Sequence, residues 1–598
     1  MKPKLRCVQT ILAFALLLTC VAPNASAQTW ASTATKAYPV QKLPNATLVG
    51  PLAASTSLHI VVGLQTQNAS QIQPTLLAML TPGNSLYGTS LTLQQFVTQF
   101  GATSAQVQSV ENYLTSMGFT SITVADNQLL IDAYATAAQV ESAFNTSLSE
   151  YLVNGASVYL NTSAAQVPAP LSGVVIAVLG LNNLSLLHPD IVRSSLGPMT
   201  VPCTPPQCPT PDVSNETFTP QQYQIAYDAA CPSDSANCAA KNFSTGLNTA
   251  VGIIAEGNLT QVVTDLRTYE KTYDLPQVPV TIVNAGLASS DTSGADEWDL
   301  DSQSSTGIAQ TVSHLYFYVA TSLTDSDIAL AISKAVSQNK VRAFNMSFGE
   351  CEFYPYLDGA MLVDDEVFAE AALHGITAFA SADDNGSACP AEATNGVPLS
   401  GPPDTSYPAS SPYVIAVGGT NLFTNADYTY DFETGWEASG GGISYFETPP
   451  FWQSYTGGGT TAIVPSAEVN GAVGCPSGCR GVPDVSMCAG GTELAICSAN
   501  IIVDGTSTLV GGTSLSSPLA MGSWARIESA HRNKLGFAGP LIYQLATSGP
   551  PPSSPDFNDV TIGSNGLYPC LPGYDYVTGL GSWDVYKISQ VIPSSYPQ

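Results

Sequence analysis

The chain has 598 residues, of which 46 are acidic and 17 are basic, so its formal net charge at pH 7 is −29. This balance argues against nucleic acid as a partner and provides no basic patch for a membrane surface. Charged residues make up only 11% of the chain. Few basic groups are left to repel one another when carboxylates become protonated, so the composition favours a protein that works in acid.

The first residues have the order of a secretory signal. A basic start is followed by the apolar run Ile11 to Ala22 and by small residues that end at Ala27. We expect residues 1–27 to be a signal peptide. The apolar run is too short to span a membrane, and no later stretch has 18 apolar residues. The expected product is a secreted, extracellular protein without a membrane segment.

Residues 28–195 have the pattern of an α+β domain, for which we expect a ferredoxin-like arrangement. Strand-like and helix-like patterns alternate, and the turn signal Asp126-Asn127 separates two of the strands. The predicted strands are Leu58 to Gly63, Thr120 to Ala125, Leu129 to Ala135 and Gly173 to Leu179, and the predicted helices are Thr92 to Phe100, Ala105 to Met117 and Ala138 to Phe144.

A Pro-rich linker, residues 196–215, follows this domain. Its Gly and Pro residues favour an extended backbone that proteases can reach. We expect an activation cleavage within residues 196–214.

Residues 216–598 are predicted to form an α/β domain with a buried parallel sheet and helices on both faces. Apolar strand-like runs alternate there with helical patterns. Catalytic residues at strand ends and helix starts suit this architecture. The apolar runs are Ala250 to Ala255, Val278 to Val283, Leu315 to Val319, Val341 to Met346, Ile376 to Ala380 and Tyr413 to Val417.

Thirteen cysteines are present, and two of them fall in the signal segment. Export makes disulfides plausible for the other eleven, but spacing leaves their connectivity open, and the odd number leaves at least one thiol unpaired within the chain. Zinc is the weaker interpretation because the cysteines have no companion histidine cluster. The close pairs are Cys203/Cys208, Cys231/Cys238, Cys475/Cys479 and Cys488/Cys497.

Residues 511–518, Gly-Gly-Thr-Ser-Leu-Ser-Ser-Pro, resemble the nucleophile loop of subtilisin-like serine peptidases, with Ser514 at the reactive position. A glycine allows a sharp turn and a close approach to substrate. A serine at a helix start has backbone N–H groups beside it that can hold developing negative charge. Pro518 suits an early helical turn. A loop that merely caps a helix is the alternative.

A serine hydroxyl needs a base, and the expected histidine is missing. None of the five histidines lies in an H-G-T-H-type segment, and for each of them a structural role is favoured. His374 precedes a glycine and suits a helix C-terminus. The histidines are His59, His188, His314, His374 and His531.

A carboxylate pair can replace the histidine. Glu297 and Asp301 are four residues apart and share one face of a helix. Two carboxylates held close cannot both ionise easily, so they share a proton and can accept another from serine, best in acid. An acidic helix face in solvent is the alternative that spacing alone favours.

Together, Glu297, Asp301 and Ser514 resemble the sedolisin family, the serine-carboxyl peptidases that include kumamolisin. Residues 379–386, Phe-Ala-Ser-Ala-Asp-Asp-Asn-Gly, are similar to the segment in which this family has an oxyanion-hole aspartate. The resemblance assigns that role to Asp383, which must be protonated to donate a hydrogen bond. The alternative for this segment is a simple turn.

The resemblance covers nearly the whole chain. Residues 344–349 are similar to the strand end that lines the family's substrate cleft, and residues 85–101 resemble the pro-kumamolisin activation domain. Residues 28–195 are therefore expected to be a propeptide that assists folding and blocks the cleft until acid releases it. An independent binding domain is the alternative.

Residues 559–581 resemble the family's calcium site. The resemblance implies one structural Ca²⁺ ion, held by the carboxylates of Asp559 and Asp575 and by the backbone carbonyls of Val560, Leu571 and Gly573. Oxygen ligands of this kind suit a hard cation. A Gly- and Asp-rich loop without metal is the alternative.

These features predict a secreted, acid-active serine-carboxyl endopeptidase that is made as a proenzyme and works as a monomer on protein and peptide substrates. A tripeptidyl-peptidase of the same family and a non-catalytic exported binding protein are the alternatives. An esterase or lipase is disfavoured because the Ser514 loop lacks the last glycine of G-x-S-x-G.

Overall fold

A computed structural model describes residues 28–40, 43, 45–184, 187–193, 217–233, 238–388, 403–456, 462–465, 475, 478–490, 496–547 and 556–592. The predicted signal peptide, the linker 196–215 and the Cys203/Cys208 pair lie outside the described residues. Within these ranges, no helix has the length and apolar character needed to cross a bilayer.

The N-terminal domain contains a four-stranded antiparallel sheet in the order β4-β5-β3-β9. Its βαββαβ connectivity is the predicted ferredoxin-like arrangement. The elements are β1 (Trp30–Ser32), β2 (Thr47–Pro51), β3 (Ser57–Leu64), α1 (Ile72–Leu80), α2 (Leu93–Gln99), α3 (Ser104–Ser116), β4 (Thr120–Val124), β5 (Leu130–Thr136), α4 (Ala137–Phe144), β6 (Leu148–Val153), β7 (Ala156–Asn161), β8 (Gln166–Pro168) and β9 (Val175–Leu179).

Local sequence fixes where three of these helices begin. In each, the side chain of an N-cap threonine accepts a hydrogen bond from the backbone N–H of the glutamine three residues later. The side chain of that glutamine accepts a hydrogen bond from the threonine backbone N–H. Such a capping box satisfies two N–H groups that the helix itself cannot. The pairs are Thr92/Gln95, Thr103/Gln106 and Thr136/Gln139.

Strand β3 contributes side chains to two cores. Ile60 and Val62 point into the N-terminal domain's own core, whereas Val61 belongs to the core of the C-terminal domain. Successive side chains of a strand point to opposite faces, so one face of this sheet packs on its own helices and the other on the C-terminal domain. Gly63 lies against Val363 there, where an added Cβ atom would be 2.4 Å from a valine methyl group.

The C-terminal domain is built on the sheet β14-β15-β13-β16-β18-β20-β21, with β24 also paired to β20. All of these pairs are parallel except β20 with β21, so the predicted parallel sheet is confirmed. Its strands are β13 (Gly246–Glu256), β14 (Val280–Asn284), β15 (Val312–Ala320), β16 (Ala343–Met346), β18 (Thr377–Ser381), β20 (Val414–Thr424), β21 (Tyr430–Gly435) and β24 (Val485–Cys488).

Helices α7 and α11 pack together on one face of this sheet, and α8 and α10 pack together on the other. The N-terminal domain contacts α8 and α10 through β3 and β9. The helices are α5 (Pro220–Ala226), α6 (Thr260–Thr272), α7 (Ala295–Ala309), α8 (Asp325–Gln338), α9 (Phe353–Asp358), α10 (Ala360–Leu373), α11 (Thr513–Ala530), α12 (Ala538–Ala546) and α13 (Val585–Val591).

Short strands connect the two domains and border the sheet. They are β10 (His188–Pro189), β11 (Val192–Arg193), β12 (Thr217–Phe218), β17 (Phe348–Cys351), β19 (Ser406–Tyr407), β22 (Gly442–Ile443), β23 (Gly481–Val482), β25 (Ser498–Val503), β26 (Thr506–Gly511), β27 (Phe557–Asn558) and β28 (Ser582–Trp583).

Three of the close cysteine pairs form disulfides, and Cys351 is also disulfide-bonded. Cys570 is a buried free thiol whose pKa is raised by burial. The disulfides are Cys231–Cys238, Cys475–Cys479 and Cys488–Cys497.

Candidate active site

Ser514 is the second residue of α11, and it is fully buried. The preceding turn requires glycine at position 512, where φ is +98° and an added Cβ atom would be 2.1 Å from the Asp190 carbonyl oxygen. Asp384 Oδ1 accepts hydrogen bonds from the Thr513 backbone N–H at 2.7 Å and from the Thr513 hydroxyl at 2.8 Å. These two hydrogen bonds from the Asp384 side chain fix the loop that presents Ser514.

Pro518 lies early in α11, as predicted, although beyond its first turn. Since α11 begins at Thr513, Pro518 is its sixth residue. Proline has no N–H group, so the carbonyl of Ser514, four residues earlier, receives no helical hydrogen bond from it. The Ser347 hydroxyl oxygen lies 3.4 Å from that carbonyl oxygen.

Glu297 and Asp301 both lie in α7, as predicted, and both side chains are almost completely buried. Burial, then the nearby Asp301 carboxyl, raises the pKa of Glu297 well above its ordinary value, and the Ser514 hydroxyl opposes this shift. Burial raises the pKa of Asp301 to about 8. The two groups therefore hold at least one proton far above the pH at which ordinary carboxyls lose theirs.

The hydroxyl of Ser514 donates weakly, at 3.5 Å, to the carbonyl oxygen of Ser347. Among the described residues, both carboxyl oxygens of Glu297 are buried without a hydrogen bond of good geometry. Ser514 is nevertheless near enough to Glu297 to affect its pKa. A short movement of one side chain would bring base and nucleophile into contact.

A chain of hydrogen bonds holds Asp301. Ser347 donates to Asp301 Oδ1 at 2.6 Å, and Asn345 Nδ2 donates to the Ser347 hydroxyl at 2.8 Å. Asn345 in turn accepts from the Ser517 hydroxyl in α11 at 2.6 Å. Sequence reasoning identified residues 344–349 as part of the cleft, but it assigned no role to Asn345 or Ser347.

Asp383 follows β18 and has φ of +89°, an uncommon conformation for a residue with a side chain. Its Oδ1 accepts hydrogen bonds from the backbone N–H of Asp384 and from the side chain of Asn385. Burial raises its pKa, with His188 opposing the shift. A protonated Asp383 is therefore favoured at acidic pH, as an oxyanion donor requires. The simple-turn interpretation also missed Asp384, which binds the nucleophile loop.

His188, for which a structural role was favoured, lies close to Asp383. Its Nε2 lies 3.7 Å from Asp190 Oδ1, and ligand atoms of His188, Asp190 and Asp383 are all within 4.8 Å of one another. Burial, then the nearby Asp383, raises the pKa of Asp190 to about 7. His188 and Asp190 come from the end of the N-terminal domain, so that domain contributes titratable groups to the site.

The other histidines lie elsewhere and bond other groups. His374 caps α10, as predicted, and its Nδ1 lies 2.7 Å from the Leu91 carbonyl oxygen in the N-terminal domain. His59 lies between Asp132 and Asp327, at 2.7 and 3.0 Å, and so links the two domains. Neither histidine serves Ser514.

The residues assigned to calcium lie in one loop cluster. Gly573 N–H donates to both carboxylate oxygens of Asp559 at 3.1 Å, and Leu571 N–H donates to Asp575 Oδ2 at 2.9 Å. Burial raises the pKa of Asp575 to about 6 and also raises that of Asp559. In the described part of the chain, the carbonyl oxygens of Val560, Leu571 and Gly573 accept no backbone hydrogen bond.

Comparisons with known proteins agree with this geometry. A family model described as "Pro-kumamolisin, activation domain" matches residues 44–184, and one described as "Subtilase family" matches residues 282–540. Sedolisin from Pseudomonas sp. (strain 101) is 36% identical over 595 residues, which cover 95% of this chain and 93% of that protein. Xanthomonalisin from Xanthomonas sp. (strain T-22) is 34% identical over 614 residues, covering 94% and 69%.

A solved structure of Pseudomonas sedolisin, a serine-carboxyl proteinase complexed with two molecules of pseudo-iodotyrostatin, has a TM-score of 0.54 and 34% sequence identity. It aligns with 63% of this chain and 98% of that chain. The fold is therefore that of a subtilisin-like peptidase preceded by a propeptide domain. With Ser514 beside a buried carboxyl pair, the chain belongs to the sedolisin family of serine-carboxyl peptidases, and it is a serine-type peptidase with an N-terminal propeptide.

Proposed function

We propose that this peptidase is a secreted endopeptidase that is active in acid. The observation that carries the proposal is the buried position of Asp383, because burial raises its pKa and keeps it protonated in acid, where it can donate to an oxyanion, while the buried Glu297–Asp301 pair takes the place of a histidine base. The exported location rests on the signal-like residues 1–27.

In the proposed reaction, the Ser514 hydroxyl attacks the peptide carbonyl carbon and Glu297 takes its proton. Asp301 holds Glu297 and shares the charge, while protonated Asp383 and the Ser514 N–H stabilise the oxyanion. Glu297 then gives its proton to the leaving amine, and water hydrolyses the ester on Ser514. As the pH rises, Asp383 ionises and repels the oxyanion, so activity falls.

The course of the chain through the site supports endopeptidase rather than tripeptidyl-peptidase action. Residues 187–193 cross the site, and the structure also describes the propeptide domain that precedes them. They pair with β17 and with β26, which lie on either side of Ser514. A cleft that accepts a continuous strand in both directions suits cleavage within a chain.

The test is hydrolysis of an unfolded protein by the wild type, Ser514→Ala and Glu297→Gln between pH 3 and 8. We expect a maximum in acid and a loss of kcat of at least about 10³-fold in each variant. Activity that survives both substitutions, or that peaks near neutral pH, would contradict the mechanism. Mass spectrometry of the products then separates endopeptidase action from the release of tripeptides.

We also propose that one Ca²⁺ ion is held by Asp559, Asp575 and the carbonyls of Val560, Leu571 and Gly573. Two observations support this proposal. The carboxyl groups of Asp559 and Asp575 are partly buried in one loop cluster, and in the described part of the chain the three carbonyl oxygens accept no backbone hydrogen bond. Such oxygen donors suit calcium, which would brace the end of the chain against the catalytic domain.

Chelation should lower the melting temperature of the mature enzyme, and Asp575→Ala should remove that response. Asp427→Ala, which changes an exposed aspartate in another loop, is the matched control and should keep it. A melting temperature that chelator does not change in the wild type would count against the ion.

A further inference from the structure

His188 and Asp190 lie two residues apart at the end of the propeptide domain, in extended backbone. β10 places His188 opposite Gly349 of β17. The Asp190 N–H donates to the Ser347 carbonyl oxygen at 3.4 Å. Residues two apart in an extended segment point to the same side. The two side chains meet Asp383 there, and one ligand atom from each of the three residues lies within 4.8 Å of the other two.

The carboxyl group of Asp190 has one oxygen held and one oxygen open. The residue is 1% exposed, and its Oδ2 accepts a hydrogen bond from the Ser381 hydroxyl at 2.6 Å. Among the described residues, its Oδ1 has no hydrogen-bond partner, and this atom lies 3.7 Å from His188 Nε2. A buried carboxyl oxygen without a partner costs free energy, so its position calls for a ligand inside the cluster.

Asp383 is oriented by neighbouring donors in a similar way. Its Oδ1 accepts hydrogen bonds from the Asp384 backbone N–H and from the Asn385 side chain. Hydrogen bonds of this kind fix the orientation of carboxylates that bind metal ions. Asp190 and Asp383 thus have the outer contacts of metal ligands as well as the spacing.

The cluster also has an excess of acidic groups. Asp190, Asp383 and Asp384 are all almost completely buried. In the ranges that the structure describes, none of these three carboxyl groups forms an ion pair with a lysine or an arginine. A divalent cation would supply the positive charge that such a buried group of carboxyls lacks.

The donor set selects the class of cation. Calcium and magnesium prefer oxygen ligands alone, whereas an imidazole nitrogen beside two carboxylates suits zinc and related transition metals. Zinc bonds of about 2.0–2.2 Å place the ligand atoms about 3–4 Å apart, so side-chain movements of about 1 Å would close the site. His188 is partly exposed and gives the ion a path from solvent.

We propose that His188, Asp190 and Asp383 bind one divalent transition-metal cation, Zn²⁺, which joins the end of the propeptide domain to the catalytic domain of the proenzyme. Water completes the coordination as a fourth ligand. The bound cation holds Asp383 as a carboxylate, which has no proton to donate to an oxyanion. Zinc therefore favours the uncut, inactive form. Binding of zinc does not depend on the proposed acid activity.

The experiment is calorimetric titration of the full-length Ser514→Ala proenzyme with Zn²⁺ near neutral pH. An excess of Ca²⁺ keeps the proposed calcium site occupied. We expect one zinc ion per chain, and His188→Ala and Asp190→Asn should each raise the Kd at least about tenfold. His314→Ala is the matched control, because His314 contacts Thr281 on the sheet and should not affect binding.

Zinc should also raise the melting temperature of the Ser514→Ala proenzyme, since the ion binds only the folded chain, and His188→Ala should remove this response. Failure of the proenzyme to bind zinc, equal binding in His188→Ala, or equally tight binding of Mg²⁺ overturns the site and leaves the peptidase function intact. Loss of binding in His314→Ala would show that zinc binds elsewhere.

A second measurement does not depend on the folding of a ligand variant. X-ray absorption at the zinc edge of the zinc-loaded Ser514→Ala proenzyme should show one imidazole and oxygen ligands at about 2.0–2.2 Å. A sulfur ligand, two or more imidazoles, or oxygen ligands alone would overturn the assignment. Because Ser514→Ala removes the nucleophile, none of these results depends on whether the enzyme is active in acid.

Discussion

Replacing Ser347 by alanine removes the hydrogen bond that holds Asp301, the carboxyl partner of the proposed base Glu297. Ser347 donates to Asp301 Oδ1 at 2.6 Å in a buried site, and this bond lowers the pKa of Asp301 against the effect of burial. A hydrogen bond to a charged group contributes about 1.5–3 kcal/mol. Its loss should therefore raise the pKa of the carboxyl pair by about one to two units.

The sign of the effect on activity follows from the role of the pair. Attack by Ser514 needs at least one negative charge on Glu297 and Asp301, so the acidic limb of the pH profile reports the loss of that charge. In Ser347→Ala the acidic limb should move to higher pH by about one to two units, and kcat/KM in acid should fall about ten- to a hundredfold.

The assay is hydrolysis of a quenched fluorescent peptide by a known concentration of mature enzyme between pH 2 and 8. Ser305→Ala is the matched control because Ser305 is also a buried serine and lies in α7 with Asp301, but it donates to the Asp301 backbone carbonyl rather than to the carboxyl group. An acidic limb that stays in place in Ser347→Ala, with kcat/KM within twofold of the wild type, would refute the assigned role.

Gly512→Ala should lower the free energy of unfolding, measured with denaturant, by about 1–3 kcal/mol. The φ of +98° strains any residue with a side chain, and a Cβ atom would lie 2.4 Å from Asp384 Oδ2. An unchanged free energy of unfolding would contradict this reasoning. In the uncut Ser514→Ala proenzyme, the free energy of unfolding should fall as the pH rises from 4 to 9. Buried carboxyls such as Asp299, with a pKa raised by burial to about 9, bind protons in the folded state that the unfolded chain has released, so a flat or rising profile would exclude this explanation. Burial lowers the pKa of His59, but its hydrogen bonds to Asp132 and Asp327 raise it to about 9. The contribution of these contacts to the stability of the folded proenzyme is therefore complete below about pH 6.5 and is lost as the pH rises through 9. His59→Gln should therefore shorten the activation lag about fivefold or more near neutral pH, and an unchanged lag would count against the link between the domains.

Much of the fold could be predicted because its signals are local. The parallel sheet follows from continuous apolar runs such as Ile376 to Ala380, and helix starts in the propeptide follow from threonine and glutamine three residues apart. The four residues proposed as catalytic could be predicted because each lies in a short segment with a recognisable pattern. Residue spacing also placed Glu297 and Asp301 on one helix face.

The parts that were missed depend on contacts between distant segments. Nothing in the Leu-His-Pro-Asp-Ile sequence around Asp190 shows that it lies next to Ser381, 191 residues later. Asp384 looked like part of a turn, since its role appears only when α11 is placed against it. Ser347 was similarly hidden, because its partner Asp301 precedes it by 46 residues on another element. In each case a small polar residue gains its role from tertiary packing.

The two-sided packing of β3 affects what happens to the propeptide once it is separated. Val61, Leu130, Ala177 and Leu179 are buried against the catalytic domain, so detachment would expose an apolar sheet face to water. A small domain that loses one of its two packed faces is marginally stable, and an unfolded chain is a good peptidase substrate. The released propeptide would then be degraded by the enzyme, which would make activation a one-way event.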